Sequence, residues 1–281
     1  MLSERPFYEF VREERLFCAT LAHLLMERGP NLATFLNLTN ARLPADSRLP
    51  TARLEEAQIY VEFTFLRDYW NRLGKDNEGK RSFIFKLLSR VERLGCYEEG
   101  GLPDTISGFN EFFMGESGSR IQRDIGYPGQ WSVATLFERF GRDPEEFRDF
   151  CRFKWAFNIK PDMVVLVPGS PPLSIEAKLE SKEGQYPTSN RECEIFDRLF
   201  GVGKGHVRQI ELQQFMFDKL LDAPCQAVVV GRSEWPGADV PFLTWENVFN
   251  ELDLNSSIGY VRRLIEENRH LRALPADLGL Q

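Results

Sequence analysis

Residues 160–179 read KPDMVVLVPGSPPLSIEAKL and contain the pattern that decides the fold. Met163–Val167 and Leu173–Leu179 are short apolar runs typical of strands, and they flank the turn-forming sequence Pro168-Gly-Ser-Pro-Pro172. Two such runs joined by a short turn predict a β-hairpin. We therefore expect a sheet that contains this hairpin.

Three charged side chains lie at one end of the predicted hairpin. A hairpin centred near Ser170 places Asp162 opposite Lys178, with Glu176 one pleat step away. Glu176 and Lys178 share a face because side chains alternate along a strand. The sequence does not fix the register, but any short hairpin here brings Asp162 close to the other two. Two carboxylates and an ammonium are therefore expected to converge.

This cluster has the composition of a magnesium site. Two neighbouring carboxylates repel each other unless a cation lies between them, and Mg²⁺ prefers oxygen ligands. A bound Mg²⁺ can polarise a phosphodiester and lower the pKa of a water nucleophile. Lys178, protonated at its ordinary pKa of about 10.4, would stabilise developing negative charge. A general-base role would require a strongly lowered pKa, so we favour the electrostatic role.

The flanking sequence predicts mainly helices. Apolar residues at helical spacing indicate helices over about 4–27, Leu54–Leu73, Ser82–Leu94, Ser132–Phe150, Val207–Leu221, Trp245–Leu252 and Ile258–Leu271. Ile59–Phe65 also alternates like a strand, so both interpretations stay open there. Further strands are expected at Ala227–Val230 and Phe242–Leu243, and loops or turns at 29–30, 41–50, 96–130, 180–204 and 235–237.

Lys160-Pro-Asp162, the following strand and Ile175-Glu-Ala-Lys178 together resemble the PD-(D/E)XK nuclease superfamily. The resemblance implies that Asp162 and Glu176 bind Mg²⁺ or Mn²⁺ and that Lys178 assists the attacking water. It also implies that the main-chain carbonyl of Ala177 is a metal ligand. The fold it implies is α/β and restriction-endonuclease-like, with a central mixed sheet flanked by helices and a helical, loop-rich insertion.

Two further segments are similar to parts of that superfamily. Gln209–Leu221, QIELQQFMFDKLL, resembles a Q-x-x-x-Y helix, with Gln213 as the matching Gln and Gln209 as the alternative. Phe217 replaces the Tyr, which is a departure from the pattern. The segment 14–25 resembles a leading helix whose Glu faces the metal, which implies a role for Glu14, with Glu62 as a second choice.

The resemblance implies Mg²⁺-dependent hydrolysis of DNA by water, without a covalent enzyme intermediate, with RNA left open as a substrate. A role in bacterial defence or restriction follows by analogy alone. Double-strand cutting would favour a homodimer. We expect a single nuclease domain over 1–281, with an insertion at about 40–130, a catalytic core at about 132–252 and a C-terminal helix and tail at 256–281.

Composition predicts a globular protein with an aromatic core. The chain is 42% hydrophobic and has 23 Phe, but its apolar runs are too short to cross a bilayer, and its charged amino terminus is unlike a signal peptide. We therefore expect a cytoplasmic protein without membrane contact. Five scattered cysteines and three dispersed histidines disfavour zinc, disulfide and Ser-His-Asp sites. Any metal ligands should then be carboxylates.

The net charge of −7 is unfavourable for nucleic-acid binding, although a local basic groove would be sufficient. Two basic runs are candidates for such a groove or for solvated helix faces; they are Lys80, Arg81, Lys86, Arg90 and Arg93, and then Arg191, Arg198, Lys204 and Arg208. Gly201–Gly205 lacks the spacing of a phosphate-binding loop, so we interpret it as a flexible loop.

Three alternatives remain at this point. Asp162 could shape a turn while Glu176 and Lys178 form the solvated face of an edge strand. The chain could be a catalytically weak nuclease-fold protein that binds nucleic acid or a protein partner. It could also be a structural or signalling protein with an acidic binding surface. The last alternative predicts no stabilisation by Mg²⁺ and no salt-sensitive DNA binding.

Overall fold

The computed structural model describes residues 14–26, 30–97, 101–116, 123–179, 183–232 and 240–253. These residues form two compact units. Unit 1 contains the described parts of 1–63, 160–182 and 224–273, and unit 2 those of 64–159 and 183–223. The expected helix at Ile258–Leu271, the first part of the helix at 4–27 and the turn at 235–237 lie outside the described residues.

The helices and strands are numbered in chain order. The α-helices are α1 (Glu14–Met26), α2 (Pro30–Asn40), α3 (Phe65–Leu73), α4 (Asn77–Leu88), α5 (Ile106–Met114), α6 (Val133–Phe140), α7 (Pro144–Ala156), α8 (Asn190–Phe200), α9 (Gln209–Phe215) and α10 (Trp245–Glu251). The β-strands are β1 (Gln58–Val61), β2 (Met163–Leu166), β3 (Leu173–Ala177), β4 (Gln185–Tyr186), β5 (Val207–Arg208), β6 (Gln226–Gly231) and β7 (Phe242–Thr244).

Unit 1 is built on a five-stranded mixed sheet of order β1-β2-β3-β6-β7. The pairs β1–β2 and β2–β3 are antiparallel, whereas β3–β6 and β6–β7 are parallel. A parallel pair requires a long crossover, and the chain between β3 and β6 includes α8 and α9. β3 lies at the centre of the sheet, and all five of its residues are buried.

Helices flank the sheet of unit 1 because its apolar strands need cover. The side chains of Met163, Ile175 and Val228 pack in one hydrophobic core with residues of α1, α2 and α10. α1 lies against β1 and β3. This arrangement places Glu14, at the start of α1, near the end of β3. The mixed α/β class with a helix-flanked sheet is therefore confirmed.

Unit 2 is largely helical and has an aromatic core. Phe113 stacks on Trp131 with ring centroids 3.7 Å apart, and Phe140 stacks on Phe150 at 4.1 Å. β4 and β5 form a short antiparallel pair within this unit. Many of the 23 Phe of the chain thus fill a core, as the composition predicted.

The hairpin prediction is confirmed, but its register differs from the expected centre at Ser170. Met163 pairs with Ile175 and Val165 with Leu173, so the hairpin is centred on Gly169. Gly169 has a φ of 76°, which a glycine adopts without steric cost. In this register Asp162 lies level with Glu176 instead of Lys178.

Several predicted element boundaries were wrong. The segment Leu54–Leu73 begins with a 3₁₀ turn and β1, and its helix starts at Phe65. The expected loops at 96–130 and 180–204 contain α5 and α8, respectively, while residues 132–150 are divided between α6 and α7. The segment Val207–Leu221 starts as β5, continues as α9 and ends in a π-helical turn at Met216–Leu220.

Within the described ranges, none of the helices combines the length and the apolar composition that a bilayer crossing requires.

Candidate active site

Asp162 is held at the start of β2 by main-chain contacts with the end of β1. Its carbonyl accepts a hydrogen bond from Glu62 N–H at 2.9 Å, and the carbonyl of Pro161 accepts one from Phe63 N–H at 2.9 Å. Glu62 has a φ of 51°, in the left-handed region that few non-glycine residues adopt. The Cys18 thiol also donates to the Asp162 carbonyl at 3.5 Å. The backbone of Asp162 is therefore fixed by two other segments of unit 1.

The Asp162 side chain reaches across to β3. Its Oδ2 accepts a hydrogen bond from Ala177 N–H at 2.8 Å. This bond places one carboxylate oxygen beside the Glu176–Ala177–Lys178 segment. Within the described chain, Oδ1 of Asp162 makes no hydrogen bond. The carboxylate is thus oriented through one oxygen, and the other has no donor among the described residues.

Glu176 and Lys178 form a buried ion pair. Lys178 Nζ lies 2.6 Å from Glu176 Oε1. The Lys178 side chain is 10% exposed and the Glu176 side chain is 2% exposed. The contact requires both side chains on one face of the strand, as alternation predicts. Because β3 is a buried central strand, the alternative in which these two residues form the solvated face of an edge strand is wrong.

The peptide group between Lys178 and Leu179 is bonded on both sides. The Lys178 carbonyl accepts a hydrogen bond from the indole N–H of Trp245 at 2.9 Å. The N–H of Leu179 donates to Oε1 of Glu14 at 3.0 Å. The Glu14 side chain therefore reaches the segment that carries Lys178. The Trp245 contact was not predicted, since the sequence contains no local signal for a contact with residue 178.

A more exposed charged group lies beside Asp162. Oε2 of Glu62 is 3.3 Å from Lys160 Nζ, and Oε1 of Glu62 is 3.5 Å from Arg15 Nε. The Glu62 side chain is 46% exposed and that of Arg15 is 76% exposed. Glu62 lies next to Asp162 because β1 pairs directly with β2, a pairing that the strand-like pattern of β1 does not by itself reveal.

Burial and charge shift the pKa values of several groups in this site. Burial raises the pKa of Asp162, and the charges of Glu14 and Glu62 add to the rise, although the Ala177 N–H and Lys178 oppose it. Burial lowers the pKa of Lys178, but the charge and hydrogen bond of Glu176 outweigh this effect, so its pKa is raised. Lys178 therefore stays protonated at neutral pH, which agrees with an electrostatic role.

The Cys18 thiol is affected by the same negatively charged carboxylates. Burial raises its pKa to about 12, and the charges of Asp162, Glu176 and Glu62 contribute to the rise. The thiol is therefore neutral at physiological pH. It acts in this site as a small buried group, not as a nucleophile or a metal ligand.

The donor atoms suit a hard cation with few protein ligands. No group of three or more His, Cys, Asp or Glu side chains in the described residues forms a metal-binding arrangement. The donor set that the resemblance implies is smaller, with the carboxylates of Asp162 and Glu176 and the carbonyl of Ala177. Mg²⁺ is commonly bound in this way, through one or two carboxylates and several waters. Carboxylate and carbonyl oxygens fit that ion by chemistry.

Gln213 and Gln209 belong to unit 2. Gln213 is on α9 and is 1% exposed. The N–H of Gln209 donates to the carbonyl of Gly184 at 2.8 Å, so Gln209 anchors the chain next to β4. The catalytic role of Gln213 stays a prediction. Phe217, at the position of the Tyr in the Q-x-x-x-Y pattern, is fully buried.

Much of the first basic run serves the structure of unit 2. Lys80 is 5% exposed, with its ammonium 5.2 Å from the centre of the Trp70 ring. Arg81 donates hydrogen bonds to the carbonyls of Leu102 and Pro103, and Arg90 donates one to the carbonyl of Leu220 at 2.6 Å. Lys80 is therefore not part of a solvated helix face, and Arg81 and Arg90 hold neighbouring loops and helices of unit 2, whereas Lys86 and Arg93 are exposed.

Comparison with known proteins gives no family: no family model, no curated protein and no solved structure matches this chain.

Proposed function

We propose that this chain is a Mg²⁺- or Mn²⁺-dependent nuclease that hydrolyses phosphodiester bonds in DNA. The observation that carries the proposal is the convergence of Asp162, Glu176 and Lys178 at the end of the β2–β3 hairpin. Asp162 is oriented by Ala177 N–H, and Lys178 by Glu176. The resemblance of these residues to the PD-(D/E)XK superfamily, and with it a restriction-endonuclease-like fold and a role in defence, belongs to the same proposal.

The topology supports the proposal. Three antiparallel strands are followed by a crossover and a parallel strand, so the charged groups come from adjacent central strands of a mixed sheet. A mixed sheet flanked by helices is what the resemblance implies. Many folds share this general architecture, so the side chains carry more weight than the topology.

Each residue has a distinct task in this mechanism. Asp162, Glu176 and the Ala177 carbonyl would hold the metal ion, which would supply the positive charge that polarises the phosphodiester and lowers the pKa of a water. The Lys178 ammonium stabilises negative charge that develops on the phosphate oxygens. Glu176 keeps that ammonium in place and protonated. Glu14 fixes the main chain at Leu179. The attacking water is the nucleophile, so no covalent intermediate with the protein forms.

A substrate panel tests the proposal. Single- and double-stranded DNA and RNA are incubated with the wild type in Mg²⁺, in Mn²⁺ and in EDTA. We expect DNA cleavage with either metal and none in EDTA. Asp162→Ala and Lys178→Ala should each lower the rate by about 100-fold or more, because the first removes a proposed metal ligand and the second removes the ammonium that stabilises developing charge.

Glu55→Ala is the matched control, since Glu55 is an exposed carboxylate of unit 1 in the 3₁₀ turn before β1. It should cleave at the wild-type rate. Absence of cleavage with every substrate and metal would reject the nuclease proposal. Salt-sensitive nucleic-acid binding without cleavage would favour the catalytically weak alternative.

A further inference from the structure

The main chain around Lys178 is fixed by residues from four parts of unit 1. β3 ends at Ala177, whose N–H is bonded to Asp162, and Lys178 N–H donates to the carbonyl of Val230 at 2.8 Å. The next peptide group, between Lys178 and Leu179, lies past the end of the strand. It is held by Trp245 at its carbonyl and by Glu14 at its N–H.

Trp245 is a rigid donor in this arrangement. The residue is 5% exposed, and its ring packs edge-on against Phe17 of α1, with centroids 5.4 Å apart. It also stacks on Phe249, one helical turn along α10, at 5.5 Å. The N-terminus of α10 is capped by Thr244, whose hydroxyl accepts from Asn247 N–H at 3.0 Å. The indole N–H therefore points at the Lys178 carbonyl from a fixed position.

The position of that carbonyl affects the Lys178 ammonium. A lysine side chain is long and flexible, so its charged end is located only when both ends of the side chain are held. Glu176 holds the ammonium end. The bonds to the peptide group hold the main-chain end. Rotation of the peptide would move the start of the side chain, and misplacement of a reacting group by about 1 Å costs about 100-fold in rate.

We infer that Trp245 is a positioning residue, which acts through its bond to the Lys178 carbonyl to place the Lys178 ammonium beside Glu176 and Asp162. The inference rests on the proposed function, because it gives Lys178 a task in hydrolysis. A residue that only fills the core would need the bulk of the ring, whereas a positioning residue needs the N–H.

Two substitutions separate the N–H from the packing. Trp245→Phe keeps an aromatic ring and removes the donor. Phe249→Leu removes the stacked ring and keeps the donor, and because Phe249 is partly buried the protein should still fold. Urea denaturation of both variants shows the stability that each loses, so that activity is compared between folded proteins.

Hydrogen exchange of the Leu179 amide is the first measurement, because this N–H belongs to the peptide group that Trp245 holds. We expect Trp245→Phe to speed its exchange about tenfold or more relative to amides in β6, since local opening of this peptide becomes easier. Phe249→Leu should leave that ratio unchanged. Equal exchange ratios in the wild type and Trp245→Phe would overturn the inference.

Steady-state cleavage of DNA in Mg²⁺ is the second measurement. Trp245→Phe should lower kcat about 10- to 100-fold at unchanged KM, and Phe249→Leu should lower it less than about threefold. If both variants lose kcat equally, Trp245 is a packing residue and the proposed function stands. If the wild type cleaves nothing, the proposed function and the catalytic consequence of Trp245 both fail, whereas the exchange experiment still decides whether Trp245 holds the peptide.

Discussion

Burial of the charged pair Glu176 and Lys178 carries a desolvation penalty that lowers the stability of the fold. Removing two charges from water costs several kcal/mol per ion, and their attraction recovers this cost only with good geometry. Here the geometry is good, with 2.6 Å between Nζ and Oε1. The pair therefore keeps a carboxylate and an ammonium ready at the end of a central strand, where apolar side chains would have packed more easily.

Breaking this pair should destabilise the metal-free protein. Lys178→Met leaves the Glu176 carboxylate buried and unbalanced, which we expect to cost about 3–5 kcal/mol of unfolding free energy. Mg²⁺ should recover part of the loss because it replaces the missing positive charge. Urea denaturation with Mg²⁺ and with EDTA measures both effects.

Lys160→Met is the control for that experiment. Lys160 is also paired to a glutamate, Glu62, but both side chains are partly exposed. Exposed pairs contribute about 0–1 kcal/mol, so this variant should remain close to the wild type. Equal losses of unfolding free energy in the two variants would show that breaking the buried Glu176–Lys178 pair costs no more than breaking an exposed pair.

Proximity along the chain explains which site residues the sequence could predict. Asp162 is 15 residues from Ala177 and separated by one turn, so a hairpin alone brings them together. Trp245 is 67 residues from Lys178, and Glu62 is 98 residues from Lys160. These contacts depend on the order of strands in the sheet and the packing of α10, which no local pattern encodes.

At the level of elements, the register of the β2–β3 hairpin determines which side chains face the candidate site. A shift by one residue would turn Glu176 and Lys178 to the opposite face of the sheet. Gly169, at the centre of the turn, adopts a positive φ, and a Cβ added to it would have no neighbouring atom within 4 Å. The conformation of its backbone, and not its small size, is therefore the reason for glycine at this position.

Gly169→Ala should cost about 1 kcal/mol of unfolding free energy, because an L-residue is strained in the left-handed region. Gly95→Ala is a suitable control: an added Cβ there would meet its nearest atoms at ordinary contact distances, and its φ is not positive. We expect that control to change the unfolding free energy by less than about 0.5 kcal/mol. Denaturant melts of both variants provide the comparison, and an unaffected Gly169→Ala would contradict a turn-imposed register.

The predictions of helices and strands were wrong for two different reasons in Leu54–Leu73 and Val207–Leu221. Ile59, Phe63 and Leu66 satisfy helical spacing, but Gln58–Val61 pairs with β2 as a strand. Its neighbours in the sheet override the local preference. In Val207–Leu221 the pattern predicted one helix and missed the two-residue β5, which pairs with β4, and the π-helical turn. Neither feature changes the spacing of apolar residues enough to be visible in the sequence.

On the scale of the whole molecule, the net charge of −7 must be reconciled with the polyanionic substrate that we propose. Local cations near the site would have to outweigh the average charge. Arg15 and Lys160, both bonded to Glu62 beside Asp162, are such cations. When DNA binds, Arg15 and Lys160 would leave the Glu62 carboxylate and contact phosphate oxygens instead.

Salt dependence of DNA binding tests this idea, with Ca²⁺ in place of Mg²⁺. Arg15→Ala should reduce the slope of log K against log salt by about 0.9, the value for one lost phosphate contact. Arg53→Ala is the control, because Arg53 is likewise an exposed arginine of unit 1 paired to a glutamate, Glu56, but lies before β1, away from Asp162. Identical slopes for both variants would place Arg15 outside the DNA-binding surface.

The discontinuity of unit 1 along the chain has a consequence for biosynthesis. Lys178 is translated 67 residues before Trp245, which at about 5–20 residues per second corresponds to about 3–13 s. During the first part of that interval a nascent chain has β3 without β6, its parallel partner, and throughout it the chain lacks the indole that holds the Lys178 carbonyl. The ribosome-bound polypeptide thus cannot hold the Lys178 carbonyl in its final hydrogen bond until α10 has been synthesised.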